Sequence, residues 1–292
     1  MSKPRLSLIQ VHASVFLFGL SGLFGKFLDL PATVIVLGRT GFATLALGGV
    51  LILGRYAARP ASGKDWLGMA LLGMLLAFHW VSFFRSIQLS TVAIGLLTFS
   101  SFPVFVTLLE PLLFKTPWRW RDGAIALVVV IGVALVIPEY RWGSTYTLGA
   151  VWGLLSGLSF AVLQLLNKGY RQRYSALAIA FYQNLFAWLS LLAIAPLATV
   201  RLDPRDIGLL LVLGVLCTAV AHTLFIESLA LLRTQTASVI SSLEPVYGIV
   251  FAALLLGETP APRTLAGGAL IIAATLVASW PAPPPPPRAA KP

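Results

Sequence analysis

Four ionisable residues and a proline that lie inside long apolar stretches are the groups of this chain that could do chemistry. Glu244 directly precedes Pro245, and His79, His222 and Arg39 each lie within an apolar run. A carboxyl group can take up a proton or hold an ammonium group, a histidine can shuttle a proton near neutral pH, and an arginine can bind a carboxylate or a phosphate. Because ionisable groups are costly in an apolar environment, we take these residues as candidate functional groups.

Each of these residues also has a structural interpretation, and the sequence leaves both open. Glu244 can be a buried carboxyl group that neighbouring hydroxyls such as Ser241 or Ser242 satisfy. A buried histidine can simply hydrogen-bond a neighbouring helix. For Arg39 we expect an ion pair with a glutamate, with binding of a substrate anion and contact with the membrane interface as the alternatives.

The composition excludes a soluble enzyme. Of the 292 residues, 58% are hydrophobic and only 11% are charged, and the mean hydropathy is +0.89. A soluble domain carries about 25% charged residues, so this chain cannot cover a surface that faces water. The net charge of +11 does not indicate nucleic-acid binding, because the basic residues are scattered between apolar runs. The single cysteine, Cys217, allows no intramolecular disulfide.

The apolar runs predict an all-α integral membrane protein with ten transmembrane helices. One crossing takes about 20 apolar residues. The runs cover residues 8–28, 33–53, 66–86, 91–113, 121–138, 147–167, 176–197, 207–229, 234–256 and 263–280. They are too long and too evenly apolar for barrel strands, and helices are the other way to satisfy backbone groups in lipid. The connections are too short for a further domain.

The two halves of the chain predict an inverted repeat. Residues 86–89 match residues 228–231, and residues 102–104 match residues 244–246, both at an offset of 142. Five helices per half make the second half enter the membrane from the opposite side. We therefore expect repeats at 1–140 and 141–280 and a proline-rich tail at 281–292. Most of the 21 Lys and Arg residues fall on the cytoplasmic side if both termini are cytoplasmic.

Several predicted helices carry polar and aromatic side chains on one face, at the spacing of three to four residues that a helix requires. One such face holds His79, Ser82, Phe83 and Ser86, another holds Ser156, Phe160, Gln164 and Asn167, and a third holds Gln235, Ser238 and Ser242. We expect these faces to line a cavity or a helix contact. Gly149, Gly153 and Gly157 form a small-residue stripe that either packs the two halves together or forms a dimer.

Three features carry a resemblance to a known family, namely the ordered set of ten helices in two halves, residues 243–247 and residues 254–258. In these features the sequence resembles the drug/metabolite transporter superfamily, most closely its EamA-type branch. Arg39 falls where such proteins often carry an arginine in the second helix, while Lys115 and Thr116 stand at the place of Gly257 and Glu258 in the first half. The resemblance implies export of small metabolites or amino acids, often driven by a proton or another gradient. It also implies a cavity lined by helices 1, 3, 4, 6, 8 and 9.

We therefore expect a secondary transporter in the inner membrane of a prokaryote that exports amino acids, including aromatic ones, by alternating access. Aromatic side chains such as Trp80, Phe83, Phe99, Phe102, Trp152 and Tyr182 could stack on a planar substrate. Pro103 and Pro245 are expected to kink gating helices. The candidate substrate-binding or gating residues are His79, Trp80, Phe83, Phe99, Pro103, Trp152, Gln164, His222, Ser242, Glu244 and Pro245.

Three alternatives remain at this point. The substrate could be a nucleobase, a nucleoside or a sugar-like metabolite. An intramembrane hydrolase could use Ser21 with a histidine, although residues 157–159 repeat the Gly-Leu-Ser motif of residues 19–21. A channel or a lipid-moving protein would need a more continuous polar path. We expect no cofactor and no metal, because the sequence has no phosphate-binding loop, dinucleotide fingerprint or metal-ligand cluster. The expected partners are a small-molecule substrate and the lipid bilayer, with proton coupling as an option.

Overall fold

The computed structural model describes residues 3–56, 59–114, 120–139, 141, 143–197, 200–228, 240–241 and 243–278, and these residues contain no β-strand. The principal helices are α1 (Lys3–Ser21), α2 (Phe24–Phe27), α3 (Ala32–Leu53), α4 (Gly63–Leu89), α5 (Val92–Phe99), α6 (Phe102–Phe114), α7 (Trp120–Val136), α8 (Thr145–Tyr170), α9 (Ala176–Leu192), α10 (Pro204–Gly214), the π-helix Val215–Val220, α11 (Ala221–Ser228), α12 (Glu244–Leu256) and α13 (Pro262–Ala278). The predicted all-helical class is confirmed.

Six helical segments of the described chain are long and apolar enough to cross a membrane. They are Leu6–Phe27, Ala32–Leu53, Gly63–Leu89, Val92–Leu109, Thr145–Asn167 and Pro204–Ser228. Shorter apolar helices cover Gly123–Val136, Ala176–Leu192, Glu244–Leu256 and Pro262–Val277. The chain is therefore a multi-pass membrane protein, while ten crossings and cytoplasmic termini stay predictions. The expected tail at 281–292 lies outside the described residues.

Three of the predicted continuous spans are interrupted. A turn at Gly22 and Leu23 separates α1 from α2, and Ser100 and Ser101 separate α5 from α6. The third interruption is the π-helix Val215–Val220, which continues α10 into α11. Apolar periodicity does not reveal such interruptions, because all the flanking segments are equally hydrophobic.

Local capping residues explain where several helices begin and end. The side chain of Thr91 accepts a hydrogen bond from the amide of Ile94 and so caps α5. Asp203 and Asp206 form a reciprocal capping box at the start of α10. Gly257 ends α12 in the left-handed conformation at φ 69°, which a residue without a side chain adopts at little cost.

The glycine stripe of α8 packs inside the molecule. A methyl group on Gly149 would lie 2.6 Å from the Cβ of Ser90, and one on Gly157 would lie 2.9 Å from the carbonyl oxygen of Phe99. Between them Gly153 faces Thr98 in the same way. The stripe therefore lets α8, in the second half of the chain, approach α5, in the first half. Of the two alternatives that the sequence left open, the stripe thus packs the two halves together.

The helices pack around a central apolar core. α4 packs against α8 and α9, α1 packs against α11 and α12, α3 packs against α9, and α7 packs against α13. Leu23, Ile35, Phe84, Leu163 and Ile179 are fully buried members of the core. Large apolar side chains stay exposed on the outer face, as a lipid-facing surface requires. Examples are Leu45, Ile52, Leu53 and Leu254.

Candidate functional site

A narrow cavity lies among α1, α3, α4, α5, α8, α11 and α12 and has a volume of about 50 Å³. A water molecule needs about 10–15 Å³, so the cavity holds a few waters. Ligand pockets commonly span about 300–1,000 Å³, and a metabolite would therefore require the helices to move apart. The lining residues are Phe18, Ser21, Arg39, Leu76, His79, Trp80, Phe83, Phe99, Phe160, His222, Phe225 and Glu244.

Arg39 is the buried cation of this cavity, with 2% of its surface exposed. Its Nε donates a hydrogen bond of 3.0 Å to Oγ1 of Thr218. The guanidinium carbon lies 3.9 Å from the centroid of the Trp80 ring and 5.4 Å from that of Phe84. Among the described residues no carboxylate lies within 4.0 Å of the guanidinium, and no hydrogen bond occupies its two Nη atoms. Those N–H groups are therefore available to an anion.

Glu244 is the carboxyl group of the same cavity and is 8% exposed. It is the first residue of α12, where the backbone N–H groups of a helix have no intrahelical partner and favour a negative charge. Glu244 and Arg39 line the same cavity without the direct ion pair that the sequence led us to expect for Arg39. Ser241 is buried beside Glu244, and Ser242 lies outside the described residues.

His79 is anchored by α8. Its Nδ1 lies 3.0 Å from the carbonyl oxygen of Ser156 and 2.9 Å from the hydroxyl of the same residue. A protonated Nδ1 donates to the carbonyl, and an unprotonated Nδ1 accepts from the hydroxyl, so either tautomer is satisfied there. The ring stacks on Phe160 with a centroid distance of 4.8 Å. The cavity therefore has a histidine whose orientation is fixed in both tautomers.

His222 lines the same cavity without such an anchor. Its Nδ1 is buried and has no hydrogen-bond partner in the described part of the chain. The ring centroid lies 6.0 Å from that of Trp80. In the matching segments 19–21 and 157–159, the residue before the glycine is Phe18 in one and Ser156 in the other. The hydroxyl that satisfies His79 thus has no counterpart beside His222.

Aromatic rings form much of the cavity wall. The Phe99 ring lies 5.4 Å from that of Phe160 and 5.5 Å from that of Phe83, in edge-to-face arrangements. Phe102 stacks on Phe99 at 5.4 Å. Such walls provide apolar area and ring faces for an aromatic or apolar group.

The structure brings most of the predicted site residues together. His79, Trp80, Phe83, Phe99, His222, Glu244 and Arg39 line the cavity. Trp152 and Gln164 lie on α8 and are partly buried, but they are not among the lining residues. Gln235, Ser238 and Ser242 lie outside the described residues. All six predicted helices that the family resemblance assigns to the cavity contribute lining residues. In addition α3, the second predicted helix, adds Arg39.

Sequence reasoning missed Phe18, Phe225 and Thr218. The two phenylalanines lie in continuous apolar runs, where nothing distinguishes a cavity-lining ring from one that faces lipid. Thr218 touches the site only through Arg39, and its importance depends on the π-helix. Ser21 lines the cavity, but within the described contacts its hydroxyl does not hydrogen-bond either histidine. The hydrolase alternative therefore has no nucleophile–base pair there.

Pro103 and Pro245 stand in the first turns of new helices, where we expected kinks within continuous ones. Pro103 follows the break between α5 and α6, and Pro245 is near the start of α12. A proline is tolerated in the first turn because its missing N–H has no intrahelical acceptor there. Since Pro103 cannot donate to Phe99, that carbonyl oxygen is left free of its usual helical bond and faces Gly157. Broken helices of this kind are common beside the substrate sites of transporters.

A polar cluster ties the two halves together at one end of the bundle. Nζ of Lys26 donates to the carbonyl oxygen of Ser90 at 2.8 Å and lies 3.9 Å from the carboxylate of Glu258. Glu258 in turn accepts a hydrogen bond of 2.9 Å from the amide of Val92, the first residue of α5. We name Lys26, Ser90, Val92 and Glu258 the end cluster.

Broken membrane-embedded helices around a narrow cavity with buried charges define a membrane transport protein. The chain belongs to the EamA-like transporter family, whose model matches residues 5–137 and 147–280. The resemblance to the drug/metabolite transporter superfamily is thereby confirmed. A solved crystal structure shares the fold, with a TM-score of 0.67, 15% sequence identity, and coverage of 95% of this chain and 97% of its own.

Curated relatives carry transporter names. The uncharacterized transporter YxxF of Bacillus subtilis is 28% identical over 87% of this chain and 83% of its own. The pseudopaline exporter CntI of Pseudomonas aeruginosa is 28% identical over 86% of this chain and 87% of its own. An S-adenosylmethionine uptake transporter of Rickettsia bellii is 23% identical over 70% of both chains.

Proposed function

We propose that this protein exports amino acids and closely related zwitterionic metabolites, with aromatic ones preferred, across the inner membrane by alternating access. The observation that carries this proposal is the pairing of Arg39 and Glu244 in one narrow, aromatic-walled cavity. The two side chains line the same cavity yet form no direct ion pair. A ligand with both a carboxylate and an ammonium group could satisfy each of them.

The charges of the cavity complement such a ligand. Arg39 has unoccupied Nη donors, which suit a carboxylate, and Glu244 can hold an ammonium group. Leaving a buried charge without a partner is costly, so a zwitterion that neutralises both groups gains more than a neutral ligand does. The rings of Trp80, Phe83 and Phe160 offer faces for the rest of the molecule.

The packing of the helices supports two inverted halves that move around this cavity. In the predicted repeat, α1 corresponds to α8, α4 to α10–α11, and α6 to α12. The contacts exchange accordingly, since α4 packs on α8 as α11 packs on α1, and α6 packs on α8 as α12 packs on α1. A site between two such halves is the usual arrangement for alternating access.

The names of the relatives are compatible with this substrate class. One relative is named a pseudopaline exporter. Another is named for uptake of S-adenosylmethionine, a molecule that carries an α-amino-acid group. Export, the inner-membrane location and cytoplasmic termini rest on the family resemblance and on the distribution of basic residues. Proton coupling would act through Glu244, the carboxyl group of the cavity.

Counterflow in proteoliposomes tests the proposal. Vesicles are preloaded with unlabelled phenylalanine, phenethylamine, 3-phenylpropionate, a nucleoside or a sugar, and uptake of labelled phenylalanine is followed. We expect saturable uptake that phenylalanine stimulates most, because phenethylamine lacks the partner of Arg39 and 3-phenylpropionate lacks the partner of Glu244. Stimulation by the nucleoside or the sugar alone would overturn the substrate class in favour of those alternatives.

Matched variants separate the two charges. Arg39→Gln should abolish the advantage of phenylalanine over phenethylamine, whereas Arg85→Gln, on the exposed face of α4, should not. Glu244→Gln should abolish the advantage over 3-phenylpropionate and any dependence of flux on a pH gradient, and Glu139→Gln serves as its exposed control. Unchanged flux and unchanged pH dependence in Glu244→Gln would contradict the role of that carboxyl group.

A further inference from the structure

The π-helix Val215–Val220 places one threonine against the buried arginine. Thr218 lies within this π-helix and is fully buried. Its hydroxyl donates a hydrogen bond of 2.7 Å to the carbonyl oxygen of Leu213, five residues earlier in the chain. Thr40 shows the α-helical pattern, with a hydroxyl bond to Val36, four residues back. The wider turn of the π-helix thus gives Thr218 an anchor that a regular helix does not offer.

The anchor fixes the hydroxyl of Thr218 as an acceptor. A hydroxyl has one hydrogen to donate, and Thr218 gives it to Leu213. Its remaining lone pairs accept from Nε of Arg39 at 3.0 Å, and an arginine side chain can only donate. The pair therefore has one arrangement, in which the Nε edge of the guanidinium faces Thr218.

Two further features hold Arg39 in this arrangement, one at its guanidinium and one at its backbone. Trp80 lies against its face, with the guanidinium carbon 3.9 Å from the ring centroid. Gly214 lets the segment approach α3 closely, because a methyl group there would lie 2.7 Å from the carbonyl oxygen of Arg39. With one edge held and one face covered, the Nη donors are the part of Arg39 that remains for a ligand in the cavity.

We propose that Thr218 is a positioning residue, which orients Arg39 so that its free N–H groups receive the carboxylate of the substrate. The substrate class named here rests on the proposed function. A guanidinium presents its paired N–H groups in a planar fork that matches the two oxygens of a carboxylate. Its orientation, which Thr218 sets through Nε, then decides whether both bonds form at once.

Three threonine variants test this role. Thr218→Val keeps the shape and removes the hydroxyl, Thr218→Ser keeps the hydroxyl, and Thr40→Val removes a buried hydroxyl that bonds only within α3. Counterflow gives KM and Vmax for phenylalanine. Thermal stabilisation of the purified protein in detergent reports the binding of 3-phenylpropionate and of phenethylamine without transport.

We expect Thr218→Val to raise KM for phenylalanine roughly 10- to 100-fold, as loss of one hydrogen bond to a charged group predicts, with Vmax nearly unchanged. Stabilisation by 3-phenylpropionate should disappear while stabilisation by phenethylamine persists, because the amine does not bind Arg39. Thr218→Ser and Thr40→Val should behave like the wild type. If Thr218→Val does not fold, Thr218→Ala removes the same hydroxyl without adding bulk and gives the same comparison.

The outcomes separate this inference from the proposed function. Wild-type KM in Thr218→Val, or equal losses for the acid and the amine, would overturn the positioning role while amino-acid transport stands. A failure of Thr218→Ser to restore the wild-type behaviour would also overturn it. If amino acids are not transported but 3-phenylpropionate stabilises the wild type and not Thr218→Val, the inference stands and the proposed function fails. No stabilisation of the wild type by any carboxylate would overturn both.

Discussion

Glu258 is the residue of the end cluster whose removal should cost the most stability. Its carboxylate accepts a hydrogen bond from the amide of Val92 at 2.9 Å and lies 3.9 Å from Nζ of Lys26. Val92 is fully buried and begins α5, so its amide has no helical acceptor. Glu258→Ala therefore leaves a donor unsatisfied and also removes one charge from an ion pair.

The two contributions differ in size. A hydrogen bond to a charged group contributes about 1.5–3 kcal/mol. The ion pair contributes about 0–1 kcal/mol, since both side chains are 26% exposed and the atoms are 3.9 Å apart. We therefore expect Glu258→Ala to lower the free energy of unfolding by about 2–3 kcal/mol. Glu258→Gln keeps an oxygen acceptor for Val92 and should cost about 1 kcal/mol.

Denaturant titration in detergent micelles measures these differences, and a double-mutant cycle with Lys26→Ala isolates the ion pair. The coupling energy should stay below about 1 kcal/mol. Glu139→Ala is the matched control, because its carboxylate and Arg141 form an exposed pair, and it should change little. A loss in Glu258→Gln as large as that in Glu258→Ala would refute the reasoning, since it would make the charge rather than the hydrogen bond decisive.

Two further predictions concern α8. Gly157→Ala should lower the free energy of unfolding by about 1–3 kcal/mol, because its methyl group would lie 2.9 Å from the carbonyl oxygen of Phe99. The control Gly169→Ala, on the same helix, meets open space and should not destabilise, so equal effects of the two variants in thermal unfolding would contradict this prediction. Ser156→Ala should leave the rate of counterflow within about threefold of the wild type, because its backbone carbonyl still accepts from His79. His79→Ala should lower that rate much more. A severe defect in Ser156→Ala would contradict this prediction, because it would show that the hydroxyl is essential.

The sequence predicts the class of fold and most of the cavity because burial in lipid makes charges rare. His79, His222, Glu244 and Arg39 are conspicuous for that reason, and the structure places all four at one cavity. The same contrast cannot identify Phe18, since a cavity-lining ring and a lipid-facing ring have the same hydrophobicity. The sequence also cannot reveal the geometry that joins distant residues.

Arg39 shows why distant geometry is hidden. We expected a glutamate partner for it, because opposite charges are the simplest way to neutralise a buried arginine. The structure gives it the hydroxyl of Thr218 and the face of Trp80. The first contact depends on the π-helix and the second on the packing of α3 against α4, and neither feature has a hydrophobic signature.

The two helix breaks explain how a cavity of about 50 Å³ could admit a metabolite under the proposed alternating access. The breaks lie before Pro103 and Pro245, and each faces a glycine of a neighbouring helix, Gly157 or Gly19. A proline removes one backbone hydrogen bond at the break, and a glycine leaves no side chain in the way. Tilting α6 or α12 at its start therefore breaks few contacts. Because Phe99 and Glu244 stand at these breaks, such a tilt would widen the cavity where we propose that the substrate binds.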